Sequence, residues 1–232
     1  MRSDTSSLLA LLQLSDSSFP SGTFTNSFGL EELVAEGRVR TGADLETLVK
    51  SVVILSIARA DAVAAVEAAR CAALADYAGV IEADRLLFSM KAASELRDAS
   101  TSAGRRTLEE LAAHSADPGI DWLLAAIRDG RTPGMQSVAL GVAANAFGLT
   151  PEEIAAAVML SAANAVLQAG MRLLPISHRD VQGALHRLRP QITAFSREAA
   201  QPNRLHSLQS FHPVQEIAAM RHRFSEARLF AS

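Results

Sequence analysis

The sequence predicts an all-α protein, a single-domain bundle of about eight to ten helices. Three observations carry that expectation. Apolar residues recur at three- and four-residue intervals along most of the chain. No stretch alternates apolar and polar residues over the length of a strand. Residues that start and stop helices punctuate the pattern at short intervals. With 49% apolar residues in 232, the chain can bury a core and is not a disordered segment.

Asp4 and Thr5 cap a first helix whose apolar face holds Leu8, Leu9, Leu11, Leu12 and Leu14. Its short apolar run has acidic residues on both sides and no small-residue cleavage site, so it reads as a helix and not a signal peptide. The stretch "SDSSFPSGTFTNSFGLEE", residues 15–32, then interrupts the helical pattern while carrying Phe19, Phe24 and Phe28 out of nine Phe in the chain. Flexible linkers are poor in aromatics, so this reads as an ordered aromatic loop: Pro20 and Gly22 make the turn, and at least two of the Phe anchor it to the core.

"SFGLEELVAEG" is a second helix ending at Gly37. Asp44 opens a long pattern through Leu45, Leu48, Val49, Val52, Val53 and Ile57 that continues past Asp61 into an Ala-rich face. "SELRDASTSAGRRTLEELAAHSADPG" predicts a helix or helix pair stopped by Pro118 and Gly119, and "GRTPG" at 130–134 is a turn. "MQSVALGVAANAFG" ends at Gly148; "TPEE" at 150–153 then supplies an N-cap Thr, a first-turn Pro and Glu153 for a capping box. The helix that follows, up to Pro175, holds no charge from Ile154 to Met171, about the shortest length that crosses a bilayer. Ser161, Asn164, Gln168 and Gly170 interrupt it, so it is expected to be a central helix buried on all sides, and no membrane is implied. A basic helix from 180 to about 200 follows, with Pro190 as a kink or boundary. Residues 202–232 read as a loosely attached, partner-binding C-terminal segment of the single domain 1–232.

Catalytic patterns are missing: there is no G-x-x-x-x-G-K-[ST] loop, no H-E-x-x-H helix and no G-x-S-x-G elbow. The single Cys71 lies in the apolar "EAARCAALA" and reads as a small buried residue; one cysteine also excludes a disulfide scaffold and fits a reducing compartment. His178, His186, His206, His212 and His222 cluster in the last 55 residues, yet no two stand at i, i+3 or i, i+4, so no metal or cofactor site is expected. Glu31, Glu32 and Glu36 read as helix surface and first-turn dipole partners. The net charge is −3, but residues 171–232 hold nine Arg against four carboxylates, which leaves the first 170 residues strongly acidic. Two Lys, one Tyr and one Trp argue against nucleic acid as the partner of that basic segment.

Four stretches in series resemble the family of UreF-type urease accessory proteins. "LLQLSDSSFPSGTFTNSFGLEELVAEGRV" is similar to its N-terminal signature, "SELRDASTSAGRR" to its E-L-R-x-[AS]-[ST]-x-x-x-G-R-R segment, "AVLQAGMRLLP" to its A-x-x-R-L-[IV]-P element, and "HPVQEIAAMRHRFSEARLFAS" to its M-R-H-x-x-x-x-R-L-F-x-S ending. The chain departs from the pattern at "PISH", 175–178, where P-L-G-Q is frequent, and at "GMQSVALG", where a His often follows the Gly. The resemblance implies a non-enzymatic, all-α, dimer-forming protein of the cytoplasm. It implies binding to the D/H-type urease accessory protein and recruitment of the G-type nickel-carrying GTPase to apo-urease, for nickel insertion and lysine carbamylation. The partner-binding residues expected from the matched motifs are Phe19, Pro20, Gly22, Phe28, Gly29, Glu31, Arg172, Met220, Arg221, His222, Arg228, Leu229 and Phe230. The alternative is an all-α enzyme or small-ligand-binding protein using a polar pocket near His178 and Asp180.

Overall fold

In the computed structural model the described residues are 4–16, 19–20, 27–210, 212–222 and 229–230, without the side chain of Val53. Among them there is no strand, and twelve α-helices follow one another. These are α1 (Thr5–Ser15), α2 (Leu30–Ala35), α3 (Gly42–Leu48), α4 (Ile54–Arg59), α5 (Asp61–Ala73), α6 (Tyr77–Met90), α7 (Ser94–Ala112), α8 (Pro118–Arg128), α9 (Gln136–Ala146), α10 (Pro151–Leu173), α11 (His178–Ala199) and α12 (Pro213–His222). The all-α expectation holds.

The centre of the molecule is α5. Its sequence DAVAAVEAARCAA combines the strongest helix former with small side chains, so neighbouring helices can approach closely. One side of it, Ala62, Val63, Ala65, Val66 and Ala69, belongs to a core shared with α2, α3, α4, α10 and α11. The other, Ala64 and Ala68, belongs with Ala60 just before the helix to a second core with α6, α7, α8 and α9. A single helix thus joins two packed layers.

Local signals set most helix ends. Thr150 accepts the Glu153 N–H and Glu153 returns the bond at 2.8 Å to the Thr150 N–H, the capping box expected at the start of α10. Asp4 caps α1, accepting from Ser7 N at 2.8 Å. Gly37 and Gly148 take positive φ just beyond α2 and α9.

Five expectations are corrected. Pro118 and Gly119 begin α8 instead of stopping α7: Asp117 is the N-cap and Pro118 occupies the first turn, where its missing N–H costs nothing. The pattern from Asp44 is broken by a π-turn at Val49–Val53 and again at Ala60, whose backbone leaves the helical region; Asp61, which opens the next helix, is bonded to Lys91 Nζ (2.9 Å) and Ser137 Oγ (2.8 Å). Pro190 is not a boundary: helix α11 runs through it, and Pro190 is exposed along with His186, whose carbonyl lost its helical donor. Leu8, Leu9 and Leu12 of α1 are exposed and only Leu11 and Leu14 pack inward, because α1 has α10 as its main neighbour. Finally α10 is not buried all round, since Leu160 is exposed and Ser161, Ala162 and Asn164 border a cavity of about 110 Å³. Helix α10 is long and apolar enough to cross a membrane by length and composition, and just over half of its most apolar window is buried.

Candidate functional site

Helices α2 and α12, far apart in the sequence, pack against each other. Phe28 (φ +54) and Gly29 (φ +80) turn the backbone into α2 through two successive left-handed residues. Gly29 is needed twice over: its φ suits glycine, and a Cβ there would stand 3.0 Å from the Gln215 carbonyl and 3.2 Å from Ala219 N of α12. Helix α12 therefore lies against the start of α2, burying Gln215, Ala218, Ala219 and His222.

His222 is fully buried. Its Nε2 lies 2.9 Å from Glu31 Oε2 and its Nδ1 3.1 Å from Glu95 Oε2 in the first turn of α7. A neutral imidazole has one N–H and satisfies one of these carboxylates, whereas an imidazolium donates to both. Glu31 also accepts from the backbone N–H groups of Leu229 (2.8 Å) and Phe230 (3.2 Å). Glu31 is thus not the surface residue expected: the α2 register turns it inward, onto the tail. Glu216 of α12 accepts the Ala93 N–H at 2.6 Å, placing a carboxylate at the α7 N-terminus, which has no side-chain cap of its own. Arg221 pairs with Glu36, and the Arg172 guanidinium, in the last turn of α10, sits 5.5 Å from the centre of the buried Phe230 ring.

Of the residues expected from the motifs, Phe28, Gly29, Glu31, Arg172, Arg221, His222, Leu229 and Phe230 gather here, with Met220 on the exposed side of α12. Phe19 is elsewhere, buried in the second core, and Pro20 is exposed. Gly22 and Arg228 lie outside the described residues, as does Phe24. Sequence reasoning missed Glu95 and Glu216 and read Glu36 as helix surface only; none carries a local sign of its distant partner. Outward from the buried polar node, α12 presents Val214, Ile217 and Met220, and Leu229 is 70% exposed. The node itself is closed to substrate; a contact surface above a fixed polar anchor is what it can offer.

Asp180 of the alternative pair is engaged elsewhere. The Asp180 carboxylate accepts from the Ser177 hydroxyl (2.6 Å) and N–H (2.8 Å) as the capping box of α11, and the hydroxyl in particular holds it below the usual carboxylate range. His178 is exposed. Burial pushes the Cys71 thiol up, away from nucleophilic character. Among the described residues no group of three or more His, Cys, Asp or Glu is placed to hold a metal ion.

The UreF family profile matches residues 39–189. The chain is 30% identical to the urease accessory protein UreF of Yersinia pseudotuberculosis serotype IB (strain PB1/+), 31% to that of Yersinia enterocolitica serotype O:8 / biotype 1B (strain NCTC 13174 / 8081) and 30% to that of Yersinia pestis (strain Pestoides F). Each similarity covers 98% of this chain and 99% of the relative. The chain belongs to the UreF family of urease accessory proteins.

Proposed function

We propose that the chain is a non-catalytic, cytoplasmic scaffold for urease maturation that works as a homodimer. It binds the D/H-type urease accessory protein, recruits the G-type nickel-carrying GTPase and brings it to apo-urease for nickel insertion and active-site lysine carbamylation. The observation that supports this most is the convergence of all four family-like stretches on one node: Glu31, Glu95, Arg172 and the tail residues His222, Leu229 and Phe230. Such a node sets the pose of α12, so that Ile217, Met220 and Leu229 form an adaptable apolar contact face. Residues 202–232 are the partner-binding segment; where it is described, it is held to the domain by the polar anchors and by Ala218, Ala219 and Phe230, and a partner covers its exposed side. Gly22 and Arg228 join the contact by their place in the matched motifs.

Co-purification tests the role. The Ile217→Asp/Met220→Asp variant changes only exposed side chains, so it should melt like wild type and fail to retain the D/H-type partner, and with it the GTPase. Removal of residues 213–232 should also abolish capture. A surface variant that captures both partners normally would overturn the assignment, as would GTP turnover by the purified chain that is lost on substituting one of its own residues.

A further inference from the structure

The cavity of about 110 Å³ that borders Ala162 lies among α5, α7, α9, α10 and α12. Most of its wall is apolar, formed by Phe28, Ile57, Leu96, Leu140 and Val158. One side is polar. There Lys91 Nζ donates to Asp61 Oδ2 at 2.9 Å, and Ser137 Oγ donates to Asp61 Oδ1 at 2.8 Å. The ion pair is nearly enclosed, its Lys and Asp side chains keeping 13% and 7% of their exposure. Glu216 of α12 accepts the Ala93 N–H, which ties α12 to the segment carrying Lys91.

Two polar groups of the wall are short of partners. Gln215 is only 8% exposed and lines the cavity, yet its side-chain amide makes no hydrogen bond among the described residues. An amide offers two donors and an acceptor, and leaving them unmade in a closed site is costly. The Lys91 ammonium has three donors, and among the described residues it has one acceptor, Asp61. A molecule that presents an acceptor and a donor side by side meets both needs.

We propose that this cavity binds a small neutral carboxamide. The carbonyl oxygen of the ligand accepts from Lys91 Nζ, its N–H₂ group donates to Gln215 Oε1, and its alkyl end lies on Leu140 and Val158. Size limits the ligand: an apolar cavity of about 150 Å³ admits benzene, so this smaller one suits about four or five non-hydrogen atoms. Charge selects a neutral molecule. Asp61 and Lys91 offset each other, Glu216 sits at the α7 N-terminus, and Asp16, the other charged residue of the wall, is exposed to solvent. An ion would therefore enter without a counter-charge. Water would satisfy the polar side and leave the apolar wall uncovered, whereas an alkyl amide covers both. Neither His222 nor its two carboxylates line the cavity, so this site and the scaffold role fail separately.

Ligand-observed NMR on the full chain tests the site with three molecules of one shape: acetamide, acetate and acetamidinium. Expected is saturable binding of acetamide alone, with a Kd no tighter than about 40 µM, the bound for a ligand of four non-hydrogen atoms. Ala162→Leu fills the cavity, and Gln215→Leu keeps the volume while removing the amide; each should weaken binding about tenfold or more. Gln215→Leu should also melt at or above the wild-type midpoint, because it removes an unpaired buried amide. A lower midpoint would make Gln215 a structural residue and overturn the proposal. Acetate or acetamidinium bound as tightly as acetamide would overturn it too, as would saturable binding of none of the three, which would leave the cavity to water. Acetamide bound equally well by both variants would place it elsewhere and sink the site.

Discussion

Replacing His222 by alanine removes the side chain that stands between Glu31 and Glu95. The imidazole is fully buried, and the two glutamate side chains keep only 13% and 11% of their exposure. Glu31 retains the N–H groups of Leu229 and Phe230, but both carboxylates lose the ring that separates and balances them. Breaking a buried charged set by removing one partner costs about 3–5 kcal/mol. Each 1 kcal/mol shifts the melting midpoint of a chain this size by about 2–4 °C, so a drop of roughly 6–20 °C is expected if the effect is felt globally. If the cost exceeds what holds α12 to α2 and α7, the helix undocks first and the global midpoint falls less. Calorimetry should therefore be combined with hydrogen exchange, which would show lost protection in residues 213–222 and at the α7 N-terminus while α5 and α9 stay protected. His222→Gln, which can still donate to one carboxylate, should recover part of the loss. A midpoint within about 1 °C of wild type together with unchanged protection in α12 would refute the anchoring role.

Other substitutions probe the scaffold behind the site. Asp84 is buried and accepts from Thr132 Oγ1 (2.6 Å), Gly134 N (2.6 Å) and Met135 N (2.7 Å), tying α6 to the turn before α9. Asp84→Asn sets an amide N–H₂ against a backbone N–H and should cost about 1–3 kcal/mol by chemical denaturation. Burial holds the Asp84 carboxyl above its ordinary 3.8 despite those three donors. Its contribution is whole below that ordinary value and is lost as pH rises through the raised folded one, so the non-titrating variant should show a flatter stability curve over that window. Gly141→Ala should destabilise strongly in thermal melts, because its Cβ would fall inside the contact distance of the Ala65 backbone carbonyl and drive α9 off α5. Ala163 is fully buried, so Ala163→Leu should cost about 1–3 kcal/mol by overpacking. Ala162→Leu should cost less, because it can grow into the adjoining cavity, and equal losses for the two would contradict the placement of that cavity.

What the sequence determined by itself is local. The Thr150–Glu153 capping box, the cap at Asp4 and the stops at Gly37, Gly148 and Pro175 depend on residues a few positions apart, and such contacts form wherever the chain goes. The all-α class followed from the same short-range periodicity, and family membership from motifs written along the chain. Tertiary structure decided what each helix faces. Glu31 looked like a first-turn carboxylate, and it became the anchor of a histidine 191 positions away because the α2 register points it at α12. Glu95 and Glu216 gave no local sign of their roles for the same reason. The apolar pattern of α1 marked five leucines as one face, but α10 covers only part of it, and Leu8, Leu9 and Leu12 stay exposed. A pattern records which residues share a side of a helix; the partner that covers that side, and the polar groups left to satisfy one another beneath it, exist only once distant segments have packed.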